Sequence, residues 1–279
     1  MRYFTIALGL MAFLMAGPVY AADAPKDAAP ADKVTVRTSV TDREVRDYKV
    51  DVSIKGTMPN PDTGQSMSVD TSMSFKIRHR YIKRDRDGLL PMEVTMLEGI
   101  VTLDGQKITI TPSIYPKLTV LLDKNFRIDD VFGYGETTPN ALPGINYGNM
   151  IILFYLTGPS APRAVGDTWD TKIVLPALKE AYGVKNTLKS ISKPEGTPAT
   201  VTVKQEITRV SMPNSTTPPP SMKAGVESTF TQDTGKLTAS HIECEVAMPR
   251  PPVAPKDPKS KQDNQPYKAN IRMDISLVK

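Results

Sequence analysis

The chain is poor in the residues that most catalytic chemistry needs. Among 279 residues there are one cysteine, one tryptophan and two histidines. A single cysteine excludes an intramolecular disulfide, so a domain of this length must be held by its apolar core. Two histidines leave little material for serine, cysteine or zinc hydrolases. There is no Gly-x-Ser-x-Gly elbow, no His-Glu-x-x-His pair and no phosphate-cradling glycine loop. Carboxylate-only glycosidase chemistry survives on residue type alone, but Trp169 is the sole tryptophan and offers a sugar only one indole platform. Charge of one sign is not massed either. The formal net charge is +5, with lysines and arginines interleaved with acids. That pattern gives weak attraction to anionic surfaces and argues against nucleic acid as a partner. These absences point to a non-catalytic protein with no cofactor and no bound metal.

Long apolar runs are confined to the start. Arg2 is followed by the apolar run Phe4–Ala16, a Gly17-Pro18 break, and small residues at Val19 and Ala21. This is the layout of a secretory signal peptide, with cleavage expected after Ala21. No cysteine stands at the cut to take lipid, so a lipoprotein is not expected. The longest later apolar run, Met150–Leu156, falls far short of the ~20 residues a membrane-spanning helix requires. The expectation is an exported, periplasmic or extracellular protein without a transmembrane anchor. Residues 22–32 (ADAPKDAAPAD) read as a flexible leader, and residues 33–279 as the folded part. The proline-rich stretches 213–220 and 249–266 read as surface loops, because proline cannot donate to a sheet ladder.

Period-two alternation dominates what is there. Met67, Val69, Thr71, Met73, Phe75, Ile77, His79 and Tyr81 fall on one face of a strand, and Ser68, Asp70, Ser72, Ser74, Lys76, Arg78 and Arg80 on the other. One dry and one wet face belong to an antiparallel sheet. Tyr48, Val50, Val52 and Ile54 repeat the pattern. Asp87-Gly88, Asp104-Gly105 and Thr234-Gly235 signal hairpin turns. A faint repeat links Met58-Pro59-Asn60 … Ser66-Met67 … Phe75 to Met212-Pro213-Asn214 … Ser221-Met222 … Phe230, about 154 residues later. It suggests duplicated halves, 33–136 and 164–279, joined by an apolar segment, 137–163. Within that segment residues 146–157 read as a buried helix stopped by Gly158-Pro159. A second, short helix is expected from Pro176 through Glu180 and Ala181 to Gly183.

The expected fold is therefore mainly β: long antiparallel strands in a curved sheet or half-barrel, with one or two helices on its concave face. Two runs of meandering strands joined by an apolar helix resemble the bacterial lipoprotein-carrier class. The phrase Val165-Gly166-Asp167-Thr168-Trp169 is similar to one in uncharacterised exported β proteins of bacteria. The resemblance implies a concave sheet able to hold an apolar ligand such as a lipid. The residues expected to line it are Phe75, Ile77, Ile151, Phe154 and Tyr155, with Met67, Val69 and Met73 packing beneath the helix. Arg78, Arg80, Lys83 and Arg84 form the strongest basic cluster, a candidate anion or headgroup patch. His241, Glu243 and Glu245 project from one strand face, but residues two apart on a strand sit ~6.5 Å from each other and rarely converge on one ion. They read as a solvated face backed by Ile242, Cys244 and Val246. His79 and Cys244 read as core residues. The leading expectation is an envelope protein that binds or carries an apolar ligand. The alternative is an interaction module that docks another envelope protein through a sheet edge, and a secreted hydrolase ranks last.

Overall fold

Alternating sequence becomes strand wherever two such segments can pair. The computed structural model describes residues 33–35, 39–59, 66–103, 105–110, 117–124, 126–133, 161–175, 180–211, 221–248 and 266–278. The described strands are β1 (Val45–Pro59), β2 (Ser66–Tyr81), β3 (Leu90–Leu103), β4 (Gln106–Ile110), β5 (Leu118–Leu122), β6 (Ile128–Phe132), β7 (Thr168–Leu175), β8 (Glu180–Ser192), β9 (Thr200–Val210), β10 (Ser221–Thr231), β11 (Leu237–Met248) and β12 (Tyr267–Leu277). No helix is found among the described residues, and none there is long and apolar enough to cross a membrane.

All twelve strands join one sheet in the order β6-β5-β3-β2-β1-β12-β11-β10-β9-β8-β7, with β4 pairing β3 beside β5. Every ladder is antiparallel. Sequence neighbours are sheet neighbours except at β4/β5, which both pair β3, and at β6/β7, and the last strand returns to pair the first: Tyr48 opposes Leu277 and Gly56 opposes Ala269. The outer strands β6 and β7 approach each other, so the sheet is nearly closed and barrel-like. An odd number of strands lies on this path. With every ladder antiparallel, β6 and β7 must therefore run in the same direction, and no ladder joins them among the described residues.

Strand direction also sorts the connections. At the lower end, where β1 begins, the turns are short and ordered. Gly88 (φ 82°) and Gly235 (φ 58°) take left-handed backbone there, a conformation that costs glycine least. At the upper end β3 and β4 meet in a tight hairpin, Leu103 opposite Gln106, around Gly105 (φ 78°). All three expected hairpin turns are present. The repeated Met-Pro-Asn phrase closes β1 in one case, where Met58 and Pro59 are its last residues, and comes after β9 in the sequence in the other, and Ser-Met opens β2 and β10. It thus marks the first and second strands of one half, but the third and fourth of the other.

The buried apolar side chains form one cluster drawn from every strand except β4. Four buried polar side chains beside it are hydrogen-bonded. Gln205 Nε2 donates to Asn186 Oδ1 at 2.8 Å, Asn186 Nδ2 donates to the Trp169 carbonyl at 3.1 Å, and the Ser228 and Ser240 hydroxyls pair at 2.8 Å. Buried polar groups bonded in this way avoid the cost of desolvation. The phrase Val165–Trp169 is a structural entry to β7. Gly166 turns at φ 93°, the Ala164 amide donates to Asp167 Oδ2 at 2.9 Å, and Trp169 enters the core. Just before it, Arg163 and Val34 exchange backbone hydrogen bonds of 2.8 Å.

One expected helix is corrected. Glu180–Gly183 opens β8, where Tyr182 pairs Ile173 on one side and Arg209 on the other. Intrinsic helix propensity is a weak preference even for alanine, and two flanking ladders with a buried Tyr182 override it. The helix expected at 146–157 lies outside the described residues. So do residues 1–32, the stretch 213–220 and most of 249–266.

Candidate functional site

One row of side chains, read across ten strands on the apolar face, locates the site. The ladders align Ile108 (β4), Val101 (β3), Met73 (β2), Val52 (β1), Met273 (β12), Ile242 (β11), Val226 (β10), Gln205 (β9), Asn186 (β8) and Trp169 (β7). From Val52 to Trp169 every member is buried. Beyond Val52 the cover fails: Met73 and Val101 are half-buried, and Ile108 is 50% exposed.

The same gradient runs along β2. Tyr81, His79 and Ile77 are buried, Phe75, Met73 and Val69 are half-buried, and Met67 is 41% exposed. Phe75 lies in the row Val50–Phe75–Gly99–Ile110. A Cβ at Gly99 would come within 2.9 Å of the Phe75 ring, so glycine here makes room for the phenyl group. The upper ends of β2, β3 and β4 therefore present a contiguous, half-open apolar surface: Met67, Val69, Met73, Phe75, Val101, Ile108 and Ile110. Large side chains gain ~1.5–3 kcal/mol each from full burial, so an uncovered group of them marks a contact surface.

The lower end of the same face is sealed by charge. Arg46 is in phase with Tyr48 and Val50, and is buried. Its Nε donates to Glu44 Oε1 at 2.7 Å, its Nη2 donates to the Ser39 carbonyl at 3.0 Å, and it stacks 5.1 Å from the Tyr81 ring centroid. His79 opposes Arg46 across the ladder and packs 4.9 Å from the Tyr48 ring. Burial, then the Arg46 charge, push the His79 imidazole down to about 3, which keeps it neutral. On the same face, at the upper ends of β8 and β9, Arg209 pairs Glu180 and bonds the Tyr182 hydroxyl at 3.3 Å. Cys244 is buried in the same apolar face, and burial pushes its thiol up to about 12, well above the range of a reactive thiolate.

The wet face carries two open grooves. One, of about 940 Å³, crosses β9, β10, β11, β12 and β1 above Gly225. The other, of about 470 Å³, crosses β12 and β1 to β4 and includes Ser72, Ser74, Thr102 and Lys107. Ser53 and Arg272 line both.

Of the residues expected to hold a ligand, Phe75 lies in the half-open surface and Ile77 in the closed core below it. Ile151, Phe154 and Tyr155 lie outside the described residues. Three cations of the expected anion patch are engaged. Arg78 makes two 2.8 Å bonds to Asp47, Arg80 pairs Glu93, and Arg84 donates to the Gly88 carbonyl at 2.7 Å and stacks on Phe126. Lys83 is exposed. His241 bonds Asp274 at 2.6 Å on the wet face, while Glu243 Oε1 is 3.7 Å from its Nε2. No group of three or more histidine, cysteine or acidic side chains is placed to hold a metal among the described residues. Sequence reasoning missed Val101, Ile108 and Ile110 as site residues. Their signal was the alternation on either side of Asp104-Gly105. No family model and no curated protein matches the chain.

Proposed function

We propose that this is a non-catalytic protein of the bacterial envelope, exported through its N-terminal signal segment, that binds an apolar ligand such as a lipid. The ligand lies on the upper ends of β2, β3 and β4. The observation that carries this reading is the exposure gradient of one apolar face: sealed from Val52 to Trp169, half-open from Met73 to Ile108. The methionines suit the role, because thioethers adapt to irregular apolar shapes. The reading also agrees with the likeness to lipoprotein carriers, in which a curved sheet holds an apolar cargo. Native mass spectrometry of protein purified from its own envelope tests it. Co-purifying lipid is expected, and its loss on Met73→Asp. A wild-type protein that carries no lipid and does not bind the neutral apolar dye Nile red would contradict the proposal.

A second reading rests on β4, which pairs only β3 among the described residues. Its other edge could take a strand from another envelope protein. Cross-linking in intact cells from a cysteine at Thr109 separates the two. A single reproducible protein partner on a lipid-free chain favours docking.

A further inference from the structure

The half-open apolar surface ends at β4, and that strand carries a cation. Lys107 stands between Gln106 and Ile108, is exposed, and points to the wet face while Ile108 points to the apolar one. Its ladder partner is Thr102, and it makes no ion pair among the described residues. On the wet side it lines the groove of about 470 Å³, together with Ser72 and Thr102. The two acids of that groove are already committed. Asp51 pairs Lys49 at 2.7 Å and accepts from Ser74 at 2.7 Å; Asp274 accepts from His241 at 2.6 Å and from Arg272 at 3.4 Å. The strand edge thus joins an apolar surface to a hydroxyl-lined groove whose uncompensated charge is one ammonium.

That pairing selects a ligand. We infer, on the basis of the proposed apolar site, that the ligand is a long-chain carboxylate: its chain lies on Met73, Val101 and Ile108, and its head group turns over the β4 edge to Lys107. A single ammonium beside serine and threonine hydroxyls complements a monoanion that accepts two or three hydrogen bonds. The apolar surface itself, with one aromatic ring and two methionines, suits a flexible chain better than a planar ring system.

Displacement of Nile red from the delipidated full chain tests the inference, with dodecanoate and dodecanol compared at pH 8 and fixed ionic strength. The acid should bind about tenfold more tightly than the alcohol, a difference of ~1.4 kcal/mol. Lys107→Gln should abolish that preference while leaving dodecanol unchanged, and Lys107→Glu should reverse it. Lys107 is exposed, so both variants should fold as the wild type does, which thermal melting checks. Equal displacement by acid and alcohol in the wild type would overturn the carboxylate inference and leave the apolar site standing. An acid preference that survives Lys107→Gln would overturn the role of Lys107. A chain that binds no Nile red would overturn the apolar site and the inference together.

Discussion

Met73 and Met273 flank the same residue, Val52, in one row of one sheet. Met273 is 1% exposed and Met73 is half-buried. Both are methionines on the apolar face of long strands, and both follow the same period-two alternation. What differs is cover. The β12 side faces the packed cluster, with its hydrogen-bonded guests Asn186, Gln205, Ser228 and Ser240. The β2 side runs upward into a surface with solvent on it. One pattern therefore yields core or contact surface according to what stands opposite, which the strand itself does not encode.

The largest test of the closed side is its charge. Arg209→Leu leaves Glu180 partly buried without its guanidinium, and should cost about 3–5 kcal/mol of unfolding free energy in a urea titration. A near-zero cost would mean that Glu180 is freely hydrated and the upper end of β8 is as open as that of β2. Next come the paired methionines. Met273→Ala should cost about 2–5 kcal/mol, because the cavity it leaves cannot collapse. Met73→Ala should cost about 1 kcal/mol or less, yet weaken binding of an apolar dye. Equal costs would erase the distinction between the two sides.

His79 tests the sealed lower end of β2. Its imidazole is held near 3 in the fold against about 6.5 in the unfolded chain. The stability from keeping it neutral is fully present above pH 6.5, and is lost as pH falls towards 3, because the unfolded chain takes up the proton first. Between pH 6.5 and 5, where carboxylates scarcely titrate, stability should fall with a slope that steepens from about 0.7 towards about 1.4 kcal/mol per pH unit. His79→Gln should flatten that slope, as measured by chemical denaturation at each pH. The smallest effect belongs to the open rim: Ile108→Lys should change stability by no more than about 0.5 kcal/mol while reducing dye binding.

Much of this fold was legible. The alternation from Met67 to Tyr81 gave β2 nearly to the residue, and three glycine turns fell where aspartate-glycine and threonine-glycine pairs placed them. Glu180–Gly183 misled because helix formers stood in a segment whose period-two phase, Glu180, Tyr182, Val184, Asn186, Leu188, was equally present and decided the outcome through pairing. Arg46 and Arg209 each lie in phase with apolar neighbours. A charge in apolar phase was the available signal for the buried clusters. The exposure gradient was not legible at all. Alternation assigns a face, but only the register across ten strands shows where that face stops being covered.

Hydrogen exchange of the backbone amides, with and without dodecanoate, tests the central claim most directly. Protection is predicted to rise in β4 and in the upper ends of β2 and β3, from Met67 to Phe75 and from Gly99 to Ile110, with β8 to β12 unchanged. Protection confined to β9–β12, or none anywhere, would contradict the assignment of the half-open apolar end as the binding surface.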